Sequence, residues 1–418
     1  MRTFDNTGRI TVDTIGYNLA QLSQIVFEVT DACNLACKYC AFGDLYLGYD
    51  RRESHYMKYE DAKAVIDYLV DFWSRFPTEA EEPYTTISFY GGEPLLNFPL
   101  IEQIVSYVES LKISRHFCFS MTSNCMLLDR YMDYLSEKQF ALLCSLDGDA
   151  FADGYRVDHQ GNPSFRRVFA NIKALQSKYP SYFSSNVNFN SVLHNRNSVE
   201  GVFDFIQNEF GKSPAFAELS NVGVRPEMQD AYNAAFRNMS ESLHQSHKYS
   251  EISEKLVAGD PDRNEAFIYL DSWSGNVFSS YMELLRDESP RFTPSATCSP
   301  FSKKMFIKVD GKIMQCERIP HMFSLGTVKN AAVHLDLEEV ATIFNGYLDS
   351  IQNRCSICAQ KQDCPQCLFT LDWDGKETPG CKYFLRTKTQ NIQRDQCMSF
   401  LYSHPESYRQ FLEETLYD

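Results

Sequence analysis

Three cysteines fall within eight residues in the segment FEVTDACNLACKYCAF, as Cys33-x3-Cys37-x2-Cys40. Three thiolates converging from one loop can hold three irons of a cubane cluster and leave the fourth iron without a protein ligand, open for chemistry. The competing reading is a zinc knuckle, but structural zinc takes four protein ligands, and His55 is the nearest candidate for a fourth. A second group lies after residue 297: Cys298-x12-Gly311-x4-Cys316, then Cys355-x2-Cys358-x5-Cys364-x2-Cys367, then Cys381 and Cys397. Its two CxxC pairs are closer together than the roughly 15–20 residues that usually separate the pairs of a zinc ribbon. Cys118, Cys125 and Cys144 stand in or beside apolar runs, and Cys118 and Cys144 read as small hydrophobes of the core. His244 and His247 have metal-like spacing on a helix, yet their polar surroundings read as a solvated face.

The first half of the chain supplies elements to position the first group. Apolar runs at 25–31, 86–90, 116–122, 140–146, 186–192 and 215–221 read as strands, and 59–76 and 164–179 carry helical periodicity. Alternation at this spacing predicts βαβ units and a parallel sheet, either a barrel or a doubly wound sheet. The expected organisation is an extension over 1–24, a core over 25–224, a helical connection over 225–294, a Cys-rich domain over 295–400 and a tail over 401–418. The Cys-rich part is too turn-rich to build a conventional core, so its stability is expected to depend on bound metal.

Composition narrows the function classes. With 44% hydrophobic and 23% charged residues among 418, the chain can bury a core and is not of disordered type. A formal charge of −15 argues against phosphate-backbone binding, and so against nucleic acid as a partner. The N-terminal sequence lacks the pattern of a secretory signal, and no apolar run reaches membrane-spanning length. These features predict a cytoplasmic protein with no membrane partner, where clustered cysteines mean metal or redox chemistry.

CxxxCxYC after the first strand resembles the signature of the radical S-adenosylmethionine (SAM) enzymes. The resemblance implies a partial (β/α)6 TIM-like barrel in which Cys33, Cys37 and Cys40 ligate a [4Fe-4S] cluster whose open iron chelates SAM. Reductive cleavage then yields a 5′-deoxyadenosyl radical that abstracts hydrogen from the substrate. YGGEPLL matches the family's GGEP element, so Gly91, Gly92 and Glu93 are implied to receive the SAM ammonium, with the missing Cβ atoms permitting close approach. SMTSNCML resembles the TNG element, with Ser123 and Asn124 as SAM partners and Cys125 where Gly is usual. SLDG followed by YRVDHQGNPSF is similar to the peptide-modifying branch and implicates Asp147 and Arg156, the latter at the SAM carboxylate. Tyr39 is implied near the adenine.

The C-terminal cysteines are similar to the SPASM domain, which carries two auxiliary iron–sulfur clusters; two residues rather than three separate Cys364 from Cys367. The resemblance implies an outer cluster on Cys355, Cys358, Cys364 and Cys381, and an inner one on Cys298, Cys316 and Cys367, with Cys397 its fourth ligand or an ordinary buried thiol. The function implied is maturation of a ribosomally made precursor peptide in an anaerobic cytosol, with an electron donor such as flavodoxin or ferredoxin. An anaerobic sulfatase-maturating enzyme that forms formylglycine is the alternative. From a different class, a non-catalytic cluster-bearing partner is a third reading, opposed by the intact cysteine motif and GGEP. Peptide maturases often carry an N-terminal recognition module of about 80 residues, whereas about 24 residues precede the first strand here, so leader recognition is expected to come from elsewhere.

Overall fold

The computed structural model describes residues 9–47, 52–76, 78, 83–220, 223–255, 266 and 297–358, and in the C-terminal stretch 364, 366–373, 378–381, 384, 387–407 and 409. The predicted connection is therefore described only as short helices between 229 and 255, and its 256–294 part falls outside the described residues, residue 266 apart. The chain divides into two compact units. One comprises residues 12–252 and 299–341, the other 1–11, 253–298 and 342–418.

The larger unit is a sheet with helices following its strands. Helix α1 (Val12–Ala20) leads into β1 (Gln24–Thr30). Then come α2 (Tyr59–Arg75), β2 (Tyr84–Gly91), α3 (Phe98–Ser110), β3 (His116–Ser123), α4 (Leu128–Glu137) and β4 (Ala141–Ser145). The run ends with α5 (Phe165–Lys178), α6 (Pro180–Asn186), β5 (Val187–Leu193), α7 (Val199–Phe210) and β6 (Ala215–Glu218). Strands β1 to β6 pair in parallel and in sequence order. An unreversed order is that of a barrel wall, because a doubly wound sheet changes direction part-way. The barrel reading of the sequence therefore holds. On the other edge of β1, β7 (Met305–Ile307) pairs in parallel, and β8 (Lys312–Met314), β9 (Gly326–Lys329) and β10 (Ala332–His334) continue antiparallel. The hairpin that β7 and β8 form over KVDGKIMQCE is thus part of the same sheet as the strand that leads into the cysteine loop.

Local sequence explains these elements. In α2, Ala62, Val65, Ile66, Leu69 and Phe72 recur at helical spacing and are the buried residues. In β1 six of seven residues are buried, as expected for a strand covered on both faces. Strands β2, β3 and β5 differ: Ile87, Phe89, Phe119, Met121, Phe189 and Ser191 are buried, whereas Thr86, Tyr90, Ser120, Thr122, Asn188 and Asn190 remain partly or fully accessible. The accessible face is polar, linked by Gln24 Nε2 to Ser88 Oγ (2.7 Å) and Ser88 Oγ to Ser120 Oγ (2.6 Å). Cys118, expected in the core, is exposed on this face. The chain after the cysteine loop pairs with the segment after β6, through Leu47 N to Gly223 O and Arg225 N to Leu45 O.

In the smaller unit, part of the helix Leu337–Cys355 packs aromatic residues: Phe344 and Tyr347 meet Phe369 edge-on at 5.6 and 5.7 Å, and Tyr347 meets Trp373 at 5.4 Å. Trp373 Nε1 donates to Leu368 O (2.8 Å), satisfying the indole's only donor.

Candidate active site

The cysteine arc leaves the C-terminal end of β1, the end at which parallel β/α proteins place their chemistry. Cys33, Cys37 and Cys40 are all half-buried. Burial pushes the Cys33 thiol up, against a hydrogen bond from Leu35 N (3.4 Å), and raises Cys37 to about 12 although the Arg156 charge opposes it. The negative charge that Cys40 would carry raises both thiols further, and that of Cys33 also raises Cys37. Unligated, they stay protonated at neutral pH, so a bound metal would have to deprotonate them. Among the described residues, no three His, Cys, Asp or Glu side chains are arranged to hold a single metal ion. A cluster is a different demand, since each thiolate takes its own iron. His55, the candidate fourth zinc ligand, faces Asp31 (3.5 Å) and Glu53 (3.6 Å).

The GGEP turn is built onto this arc. Gly92 N donates to Thr30 O and Glu93 N to Ala32 O, both at 2.9 Å, so the end of β2 pairs with the entry to the cysteine loop. A Cβ on Gly91, whose φ is +136°, would stand 2.0 Å from Thr30 O, and one on Gly92 would stand 2.0 Å from Ala32 O. The sequence reading gave the missing Cβ atoms to the approach of SAM. The structure supplies another reason, the approach of the protein's own backbone.

Glu93 is fully buried and tied down. Its Oε1 accepts from Ser123 Oγ (2.8 Å) and Leu95 N (3.2 Å), and Oε2 from Asn124 N (2.8 Å). Asn124 Nδ2 in turn donates to Asn34 Oδ1 (2.7 Å) and lies 3.8 Å from Cys33 Sγ. Strand ends β2 and β3 are thereby locked to the cysteine loop. Cys125 adopts φ +60°, so the turn keeps the left-handed backbone for which Gly is usual. Burial raises the Glu93 carboxyl to about 7, against the hydrogen bonds that favour its ionised form. A folded value above the ordinary 4.5 means that stability is fully present below about pH 4.5 and is lost as pH rises through about 7. The span corresponds to about 3 kcal/mol. Glu93→Gln should flatten the fall in thermal midpoint of the SAM-free protein across that window; an unchanged slope would assign it to other groups.

Asp147 and Arg156 meet in the interior. Arg156 Nε and Nη2 donate to Asp147 Oδ2 and Oδ1, each at 3.1 Å, and both residues are buried. Arg156 is therefore neither a surface ion pair nor turned wholly toward a ligand, because two of its donors are engaged by Asp147. Tyr39 also donates its hydroxyl to Asp147 Oδ2, and its ring stacks with His194 at 5.7 Å. Burial would raise Asp147, yet the Arg156 charge, with donors around it, holds it at about 2.

Sequence reasoning missed the 155–159 strap. Ala36 N donates to Val157 O (2.7 Å), Lys38 N donates to Tyr155 O (3.1 Å), and His159 Nε2 lies 2.8 Å from Cys33 O. It also missed His194, buried just after β5, although a polar residue ending an inner strand was a usable signal.

The arc, the glycine turn and the β3 end converge on one end of the parallel sheet, and residues 27–206 match the model of the Radical SAM superfamily. The chain carries a radical SAM domain. Its relatives include the radical SAM cyclopropyl synthase TigE of Paramaledivibacter caminithermalis, 22% identical over 52% of this chain and 44% of that one. The serine-type anaerobic sulfatase-maturating enzyme of Bacteroides thetaiotaomicron is 26% identical over 36% of each chain. This chain thus spans less than half the length of either relative. The structure of native anSMEcpe with bound AdoMet and Cp18Cys peptide shares the fold at a TM-score of 0.58, with 16% identity over 93% of this chain and 98% of that one.

Beyond the radical SAM domain, the smaller unit gathers four of the remaining cysteines. Burial and the charges of Cys364, Cys381 and Cys358 raise Cys355 to about 11, so these thiols are electrostatic neighbours. A turn from Cys355 O to Cys358 N (3.1 Å) and the Asp372–Gly380 bridge frame them. Cys367 neighbours Cys298 in the same unit, and Cys397 is buried on the helix Thr387–Ser403. Cys316 follows β8 in the larger unit. No helix among the described residues is long and apolar enough to cross a membrane.

Proposed function

We propose that the protein is a radical SAM maturase that modifies a residue of a ribosomally made precursor peptide. The observation that carries this reading is the placement of Cys33, Cys37 and Cys40 at the C-terminal end of β1, braced by Glu93 through Ser123 and Asn124. The donor set fits a three-thiolate cluster with an open iron. Held there by Cys33, Cys37 and Cys40, a reduced cluster with SAM would supply hydrogen-atom abstraction. The chain's own residues do the rest. Glu93 and Asn124 hold the loop, and the hydroxyl- and amide-bearing face of β2, β3 and β5 offers partners to the backbone of an extended peptide. Cys355, Cys358, Cys364 and Cys381 would hold an auxiliary cluster, and a small reductant protein would supply the electron.

Anaerobic reconstitution, dithionite and SAM test the reading: 5′-deoxyadenosine should appear by chromatography, with about four irons for each cluster held. Intact clusters without 5′-deoxyadenosine would favour a non-catalytic partner, and stoichiometric zinc would overturn the auxiliary-cluster reading. The sulfatase-maturating relatives favour a second reading, formation of formylglycine. A carbonyl-reactive hydrazine distinguishes them, because only a peptide converted to formylglycine gains an aldehyde.

A further inference from the structure

Asp147 is the point where the cysteine arc is tied to the barrel. It receives the Tyr39 hydroxyl from within the Cys37-x2-Cys40 turn, and the two-pronged Arg156 fork. It is itself anchored three ways: Oδ1 accepts from Val192 N (2.9 Å) of β5, its carbonyl from Asn197 Nδ2 (3.0 Å), and its own N–H donates to Asp153 Oδ1 (3.0 Å). His194 closes the fourth side. Its Nδ1 accepts from Arg196 N (3.2 Å), which leaves the proton on Nε2, 3.6 Å from Asp147 Oδ2. His194 and Asp147 are both fully buried, so these contacts are not competing with water.

Arg156 also bears on the arc. Its guanidinium lies 5.6 Å from the centroid of the Tyr39 ring, and its positive charge reaches the Cys37 sulfur. Asp153, with Oδ1 3.5 Å from Arg156 Nε, is a weaker second counter-charge. One carboxylate therefore performs two tasks at once: it pins the aromatic residue between two thiols and offsets the cation beside one of them.

We propose that Asp147 is a positioning residue for the radical SAM cluster, holding the Cys37–Cys40 turn through Tyr39 and setting the cluster's reduction potential by neutralising Arg156. The proposal rests on the assignment of Cys33, Cys37 and Cys40 as cluster ligands. A reduced cluster carries one more negative charge than an oxidised one, so an uncompensated cation nearby favours reduction. The neutral Asp147→Asn leaves Arg156 facing only Asp153, and the potential should rise. The two functions separate by substitution, because Tyr39→Phe removes the tether and leaves every formal charge in place.

The test is anaerobic potentiometry on the reconstituted full chain, following the electron paramagnetic resonance signal that shifts on adding SAM. Asp147→Asn is expected to raise that midpoint by about 59 mV, tenfold in the one-electron equilibrium. The double variant Asp147→Asn/Arg156→Gln, with both charges removed, should return it to the wild-type value. Tyr39→Phe should leave the midpoint in place while iron is lost to a chelator at least about threefold faster. An unchanged midpoint in Asp147→Asn, or a raised one in the double variant, overturns the electrostatic role; wild-type iron loss in Tyr39→Phe overturns the tether, and that variant stays informative should Asp147→Asn not fold. A wild type that holds iron yet shows no SAM-responsive signal overturns the ligand assignment itself, a different failure from any of these.

Discussion

Cys40→Ala is expected to lower 5′-deoxyadenosine formation by at least about 10²-fold and to remove about four irons per chain, while the protein still folds. The argument rests on what the residue does in the polypeptide. Its backbone closes two turns, Cys40 N to Cys37 O (3.1 Å) and Gly43 N to Cys40 O (2.8 Å), and alanine preserves both. The side chain is half-buried and is lost without opening a large cavity. What disappears is the thiol proposed as a ligand, which on that proposal would leave two thiolates where three irons need a partner. Cys358→Ala in the smaller unit provides the contrast: product formation or folding should suffer while SAM cleavage persists. Equal 5′-deoxyadenosine from wild type and Cys40→Ala would remove Cys40 from the site.

Gly92→Ala should be as damaging for a reason unrelated to ligation. Its Cβ would stand 2.0 Å from Ala32 O and 2.4 Å from Ala32 C, and neither atom belongs to a side chain that can turn away. The hydrogen bonds Gly92 N to Thr30 O and Glu93 N to Ala32 O would both have to stretch. A shift of that kind costs on the order of 3 kcal/mol or more. It also moves Ala32, the residue before Cys33. A displacement of about 1 Å at a reacting site costs about 10²-fold in rate. The expected result is reduced iron incorporation together with a lowered thermal midpoint, measured on the apoprotein. Wild-type stability with wild-type iron uptake would show that the turn can relax, and would return the glycines to a role in ligand approach alone.

Much of the fold is legible in the sequence because its signals are local. The observed β1 to β6 lie within a few residues of the apolar runs, and α2 and α5 coincide with the periodic segments. A continuous apolar run does not say which face is covered, however. In HFCFSMT the run has no strict alternation, and Cys118 was placed in the core although it sits on the accessible face. Strands β7 to β10 are only three or four residues long, so nothing in their own sequence announces that they extend the sheet from the far edge of β1.

The candidate site divides in the same way. The types and spacing of Cys33, Cys37, Cys40 and the GGEP residues were readable because ligand chemistry demands particular atoms within a few residues of one another. Which partner each polar side chain takes was not readable. Arg156 fits a carboxylate by its shape, but Asp147, nine residues earlier, is the carboxylate that the turn between them presents. Glu93 reaches Ser123 and Asn124 across two strand ends, about thirty positions along the chain. The sequence by itself determined the strand–helix alternation, the thiol set and the family resemblance. Only the tertiary structure decided that the glycines meet backbone, that Asp147 gathers Tyr39 and Arg156, and that the face of the sheet is polar. The physical reason is range: periodicity, turn chemistry and ligand spacing act over a few residues, whereas burial, counter-charge and backbone approach are set by atoms that become neighbours only once the sheet has formed.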